Sequence, residues 1–151
     1  MTGVQTCALP ISRKSRAALD VALAALAVLR ARRLVADRPI GALVRKSGQT
    51  VPEASKEIPA TADRNCGQRW GAAVDRAMKW IPGDSACLVR ASALQQLVVT
   101  RGLPRAEVRI GVRRGPGGFE AHAWVEQDGM PIAEPVTLRG AFSSLDGVTL
   151  R

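Results

Sequence analysis

The spacing of apolar residues changes along this chain from the helical period to the strand period, and this change restricts the fold more than any other feature. Leu88 and Leu94 belong to a series of apolar residues that recur at helical intervals, as on one face of an α-helix. Further along, Val108, Ile110 and Val112 alternate mainly with charged residues, as in a strand with one buried face. Because helices precede strands that follow one another directly, the pattern predicts an α+β domain with a small antiparallel sheet.

Local signals divide the chain into predicted elements and regions. Helices are predicted at residues 13–33, 40–46 and 66–81, and from a cap at Asp84 or Ser85 to a stop at Gly102. After the first strand, further strands are predicted at residues 119–127 and 130–134, joined through Asp128-Gly129.

Residues 1–11 look like the translation of a sequencing-adapter oligonucleotide and are excluded from the fold prediction. Residues 12–64 are expected to form an N-terminal helical region and linker, and residues 65–151 the compact core with the candidate site.

The charge and cysteine content restrict the partners and the compartment. Lys and Arg total 22 against 13 acidic residues, so the net charge of +9 favours acidic peptides, polyanions or an anionic membrane surface. Only 3% of residues are aromatic, which argues against a single-strand nucleic-acid binder.

The apolar part of residues 13–33 is too short to span a bilayer and contains Asp20, which favours a helix packed inside the protein. Its basic flanks would also suit a helix that lies on a membrane surface. Cys66 and Cys87 are too few for a disulfide framework, so we expect a reducing, cytoplasmic setting.

The chemistry is concentrated at Cys87 and His122. His122 is the single histidine, and Cys87 falls in the first turn of a predicted helix, where unpaired amides favour a thiolate and can receive the oxyanion formed when it attacks a carbonyl. A buried structural cysteine and a strand histidine without a catalytic task are the alternatives. A metal site built from Cys66, Cys87, His122 and a carboxylate lacks the usual ligand spacing, so no metal or cofactor is predicted.

A third catalytic member would be an acid that orients the imidazole, and Glu134, Glu126 and Asp128 are the nearby choices. The length of the hairpin loop decides among them. A three-residue loop over residues 127–129 would place His122 directly opposite Glu134, within reach of a hydrogen bond, whereas a two-residue loop would turn Glu134 to the other face. The two loop lengths stay open here, and the role of Glu134 depends on which of them forms.

The chain resembles a known protease family through three runs, which are CLVRASALQQL from Cys87, RGLPRAEVRIGV from Arg101, and AHAWVE from Ala121 with Asp128-Gly129 after it. In these runs it is similar to the leader peptidases of lasso-peptide biosynthesis, which belong to the transglutaminase-like cysteine proteases. The resemblance is strong from about residue 84 to residue 134 and looser toward the first helix. It implies a transglutaminase/papain-like fold in which the catalytic cysteine opens a helix.

The same resemblance implies a function, catalytic roles and partners. Cys87 would be the nucleophile, His122 the general base and then acid, and Glu134 the orienting acid, where many relatives have Asp. The enzyme would remove the leader from a lasso-peptide precursor before an ATP-dependent cyclase forms the macrolactam. Residues 12–60 look too short and too helical for the leader-recognition domain, which implies a separate recognition protein. The alternatives are a member of this fold that binds peptide without cutting it, and a basic adaptor or membrane-surface protein.

Overall fold

The computed structural model describes residues 13–37, 45–46, 61–81, 86–144 and 148–149. Residues 1–11, most of the predicted linker, and the Asp84 or Ser85 cap lie outside these ranges. The helices are α1 (Arg13–Asp37), α2 (Thr61–Met78), α3 (Ala86–Val99) and α4 (Leu138–Ala141). The strands are β1 (Arg45–Lys46), β2 (Glu107–Gly115), β3 (Gly118–Gln127), β4 (Met130–Ile132), β5 (Ser143–Ser144) and β6 (Val148–Thr149).

The order of these elements confirms the α+β prediction and corrects two local ones. Arg45 and Lys46 form β1 rather than part of a helix, because they pair antiparallel with Thr149 and Val148 of β6. Such a pairing between distant parts of the chain overrides the local helical preference of Arg45 and Lys46. The local sequence pattern contains no signal for this pairing. Helix α2 begins at Thr61, inside the predicted linker.

Within the described residues, the larger sheet has four antiparallel strands in the order β4-β3-β2-β5. The register between β2 and β3 is regular and places Gly111 opposite His122 and Val108 opposite Val125. Since side chains alternate along a strand, His122 and Trp124 lie on one face of β3, while Ala123 and Val125 lie on the other. The second face joins the helical core, so His122 starts from the face turned away from the helices.

Helices α1, α2 and α3 pack on one another and share one apolar core with the sheet. Ala24 and Val28 of α1 are fully buried in that core, which confirms α1 as a packing helix. Its Asp20 is buried as well and accepts two hydrogen bonds from the Arg69 guanidinium of α2, at 2.6 and 2.7 Å. Among the described helices, none is long and apolar enough to cross a membrane.

The hairpin between β3 and β4 has the two-residue loop, so the register that would place Glu134 directly opposite His122 is not formed. Gln127 pairs with Met130, and the intervening Asp128 and Gly129 have φ angles of 50° and 76°. Positive φ at both central positions is the requirement of a type I′ turn, for which Asp-Gly is a preferred sequence. In this register His122 and Glu134 are not opposed, because a regular continuation would place Glu134 opposite Ala123.

Two glycines of α2 bring this helix close to β4. A Cβ atom at Gly67 would lie 2.5 Å from Cγ2 of Ile132, and a Cβ at Gly71 would overlap Cβ of Ala133. Gly67 and Gly71 are one turn apart and therefore share one face of the helix. The absence of side chains there lets α2 lie directly on the end of β4, where the chain turns toward Glu134.

Candidate active site

His122 projects from the middle of β3 and is 29% exposed. Its ring lies nearly parallel to that of Trp124, with the centroids 6.2 Å apart and 16° between the planes, and Phe142 lies 5.5 Å away. Gly111 on the neighbouring strand leaves space for this group, because a Cβ there would lie 2.7 Å from the Trp124 ring and 2.9 Å from Phe142. The two aromatic rings therefore restrict the orientation of the imidazole.

Two of the three candidate acids bind groups other than His122. Trp124 donates a hydrogen bond from Nε1 to Glu126 Oε1 at 2.8 Å, and Glu126 Oε2 lies 3.6 Å from Arg109 Nε. Asp128 accepts hydrogen bonds from the Arg105 guanidinium at 2.8 and 2.9 Å. Glu126 thus fixes the tryptophan beneath the imidazole, and Asp128 fixes the hairpin turn.

Glu134 approaches His122 because the chain bends after β4, and not because the two residues are paired in the sheet. Strand β4 ends at Ile132, and Ala133 adopts the left-handed conformation with φ 57°. Few residues other than glycine, Asn and Asp adopt this conformation, so the chain bends sharply here. Beyond the bend, Glu134 Oε1 lies 4.0 Å from His122 Nε2. This distance permits charge attraction but exceeds that of a hydrogen bond, so the expected hydrogen bond is not formed.

Arg90 holds the Glu134 carboxylate from the opposite side. Its Nη1 donates to Glu134 Oε1 at 2.6 Å, and its Nε donates to Asp75 Oδ1 of α2 at 2.6 Å. Burial of the guanidinium works to lower the pKa of Arg90, but the hydrogen bonds and negative charges of Asp75 and Glu134 outweigh burial and raise it. Arg90 is therefore a permanent cation that keeps a carboxylate beside His122.

Cys87 is the second residue of α3 and carries a free, half-buried thiol that packs against the apolar core. Arg90 follows it by three residues, so the two side chains share one face of the helix. Arg90 binds Glu134, and Glu134 faces His122, so α3 is linked to the imidazole through these two side chains. In the part of the chain that the structure describes, no hydrogen bond joins the Cys87 thiol to His122.

Cys66 lies elsewhere, on α2. Its thiol donates to the carbonyl oxygen of Arg101 at 3.7 Å, and the Arg101 guanidinium lies 4.2 Å above the Trp70 ring. Among the described side chains, no cluster of three or more His, Cys, Asp or Glu could hold a metal ion. Cys66 therefore belongs to the packing of α2 against the loop that follows α3.

Arg90 and Phe142 also lie at the site, and neither residue was predicted from the sequence to do so. Arg90 carried a weak signal, since it stands one helical turn after Cys87 and could have been placed on the same face. Phe142 carried no local signal, because it reaches His122 through a pairing of β5 with β2 that brings distant parts of the chain together.

Comparison with known families agrees with this arrangement. The family described as the transglutaminase-like superfamily matches residues 16–146, which include all the described helices and strands of the site. The chain matches no curated protein and no solved structure at a significant level. Since the family match extends over most of its length, this chain belongs to the transglutaminase-like superfamily.

Proposed function

We propose that this chain is a cysteine peptidase that removes the leader from a lasso-peptide precursor, with Cys87 as nucleophile, His122 as base and Glu134 as orienting acid. One observation carries the proposal, namely the approach of Glu134 Oε1 to within 4.0 Å of His122 Nε2. In the proposed arrangement, Glu134 attracts the Nε2 side of the ring by charge and Nδ1 accepts the thiol proton, which is the division of roles that a thiol protease needs.

The reaction follows from these roles. His122 takes the proton of the Cys87 thiol, and the thiolate attacks the carbonyl carbon of the scissile peptide bond. The carbon–nitrogen bond then breaks, and His122 gives its proton to the departing amine of the core peptide. The leader stays on Cys87 as a thioester until a water, deprotonated by His122, releases it as a carboxylic acid and restores the thiol.

Glu134 supports each of these steps through charge. The imidazole becomes a cation whenever it holds the transferred proton, and a carboxylate at 4.0 Å stabilises that cation. Arg90 prevents the carboxylate from turning away, since it binds the same oxygen at 2.6 Å. The freed amine would be the substrate of an ATP-dependent cyclase, and a separate recognition protein would deliver the leader.

Mass spectrometry of the precursor encoded beside this chain, incubated with the protein and its recognition partner, tests the proposal. The native chain should release the intact leader and core. Cys87→Ala and His122→Ala should each reduce the cleavage rate by about 10³-fold or more, because thiolate and base act as a unit. Cys66→Ala is the matched control and should cleave at nearly the native rate. Cleavage by the Cys87→Ala protein would refute the peptidase assignment.

Peptide binding without cleavage is the second candidate, and one observation favours it. Glu134 forms its short contact with Arg90 at 2.6 Å rather than with His122 at 4.0 Å. A site that has lost catalysis would retain this ion pair for stability alone. The same assay separates the two, because a binding protein would leave the precursor intact while still retaining it on a column.

A further inference from the structure

Helix α1 presents three leucines to solvent on the side opposite the core. Leu19, Leu26 and Leu29 are 45%, 53% and 46% exposed, whereas Ala24 and Val28 are fully buried. A surface helix ordinarily has polar residues opposite its buried face. Single exposed leucines are common, but several on one helix face form an apolar patch, and such patches mark interaction sites.

The exposed leucines follow the spacing of a coiled-coil seam. Leu19 and Leu26 are seven residues apart, and Ala22 and Leu29 each follow one of them by three residues, so the four occupy the a and d positions of two heptads. We call these four exposed residues the seam of α1. At 1.5 Å per residue it extends about 15 Å along the helix axis. A line of a and d side chains is narrow and fits the corresponding face of one other helix.

Cationic side chains lie at the carboxyl-terminal end of the seam. Arg30 and Arg33 are exposed on the same side of α1 as the leucines, and neither forms an ion pair with an acid in the described part of the chain. Asp37 is exposed in the last turn, but the net charge of the whole chain is +9. Complementary charge therefore favours an acidic partner, whereas a second copy of this chain would bring like charges together.

The seam also lies away from the candidate active site. Helix α1 packs on α2 and α3, and these two helices in turn contact the strands. The outer side of α1 is therefore on the opposite side of the helical layer from the sheet. His122 starts from the sheet face turned away from the helices, so a partner on the seam would leave the imidazole accessible.

We infer that the seam of α1 docks an acidic amphipathic helix of a partner protein, with apolar residues of that helix on the leucines and its carboxylates near Arg30 and Arg33. A lipid surface matches the seam less well, because helices that lie in a membrane interface use a broad apolar face with large residues such as Trp or Phe. The seam is narrow and has no aromatic residue. The inference does not rest on the proposed peptidase function.

Synthetic helices measure this docking directly. Three labelled three-heptad peptides are titrated with the full chain: an acidic peptide with Leu at a and d and Glu at e and g, the same peptide with Lys at e and g, and a scrambled acidic peptide. We expect fluorescence anisotropy to show saturable binding of the acidic peptide, at least about 10-fold tighter than that of the other two at low salt. No binding of the acidic peptide, equal binding of its scrambled form, or tighter binding of the lysine peptide would overturn the inference.

Leu26→Gln separates docking from folding. The variant should bind the acidic peptide at least about 10-fold more weakly, because a leucine that the partner buries is lost. Its melting temperature should equal that of the native chain, since Leu26 is 53% exposed in the free protein. Phe119→Gln, at a side chain of β3 that is 79% exposed, is the matched control and should bind as the native chain does. A lower melting temperature of Leu26→Gln would show that the chain covers this leucine itself and would overturn the inference.

Two measurements on the same variant test the other occupants. Sedimentation velocity reports self-association, and co-sedimentation with phosphatidylglycerol vesicles reports binding to an anionic lipid surface. We expect the native chain to be monomeric and to bind the vesicles no more tightly than Leu26→Gln does. A native dimer that Leu26→Gln abolishes would assign the seam to a second copy, and vesicle binding that it abolishes would assign the seam to lipid; either result would overturn the inference.

Discussion

Replacing Gly71 by alanine should impair the candidate active site without changing any of the proposed catalytic residues. A Cβ at Gly71 would overlap Cβ of Ala133, the left-handed residue that turns the chain toward Glu134. Two carbon atoms pack at about 3.5–4.0 Å, so relief of the overlap requires a shift of about 1 Å or more. Since Ala133 precedes Glu134 directly, the carboxylate should move away from the imidazole by a similar amount.

The expected magnitudes follow from this displacement. Overpacking costs about 1–3 kcal/mol, and alanine regains about 1 kcal/mol of helix propensity over glycine, so the free energy of unfolding should fall by about 0–2 kcal/mol. A displacement of about 1 Å near the reacting groups lowers rates by as much as about 100-fold. The variant should therefore remain folded while its single-turnover cleavage rate falls by about 10- to 100-fold.

Two controls test the reasoning about Gly71. Gly67→Ala places a Cβ 2.5 Å from Cγ2 of Ile132, one turn away on the same helix face, so it should destabilise the fold but retain more of the rate. Gly117→Ala places its Cβ in open space and should be silent. Urea denaturation and cleavage kinetics on the same preparations give both quantities. A destabilised Gly71→Ala protein that cleaves at the native rate would refute the coupling between α2 and Glu134.

Further substitutions test the groups around the imidazole. Glu134→Gln should lower kcat by about 10- to 100-fold and change KM little, because the lost attraction strengthens as His122 becomes charged; an unchanged kcat would exclude the orienting role. Arg90→Met leaves the half-buried Glu134 carboxylate without its cation and should lower the free energy of unfolding by about 1–3 kcal/mol in urea titrations, whereas no loss would mean that the pair contributes nothing. Trp124→Phe removes the hydrogen bond to the buried Glu126 and should cost about 1–2 kcal/mol by the same measurement, with full stability arguing against that bond.

The sequence was sufficient to predict the elements that carry Cys87 and His122. The helical period placed Cys87 in the first turn of α3, and the two-residue period placed His122 on β3. Both periods reflect burial of one face, which local sequence records directly. The stop at Gly102 is also confirmed, since φ is 112° there and Leu103 donates its amide to the Val98 carbonyl at 3.0 Å.

The detailed geometry of the site could not be predicted in the same way. The sequence left two hairpin loop lengths open, and the Asp128-Gly129 pair forms the two-residue loop that this dipeptide favours. The bend at Ala133 is different, because alanine gives no signal for a left-handed backbone. The bend lies against Gly71 of a distant helix, a contact that only the tertiary structure reveals.

The rate at which iodoacetamide alkylates Cys87 at pH 6 tests most directly whether Cys87 and His122 form a catalytic pair. An unpaired thiol is almost entirely protonated at that pH, whereas a thiolate paired with a protonated imidazole stays reactive. Peptide mass spectrometry distinguishes Cys87 from Cys66 in the same sample. If the two residues form such a pair, Cys87 should react at least about 10-fold faster than Cys66, and His122→Ala should remove the difference. Equal rates at Cys87 in the native and His122→Ala proteins would contradict it.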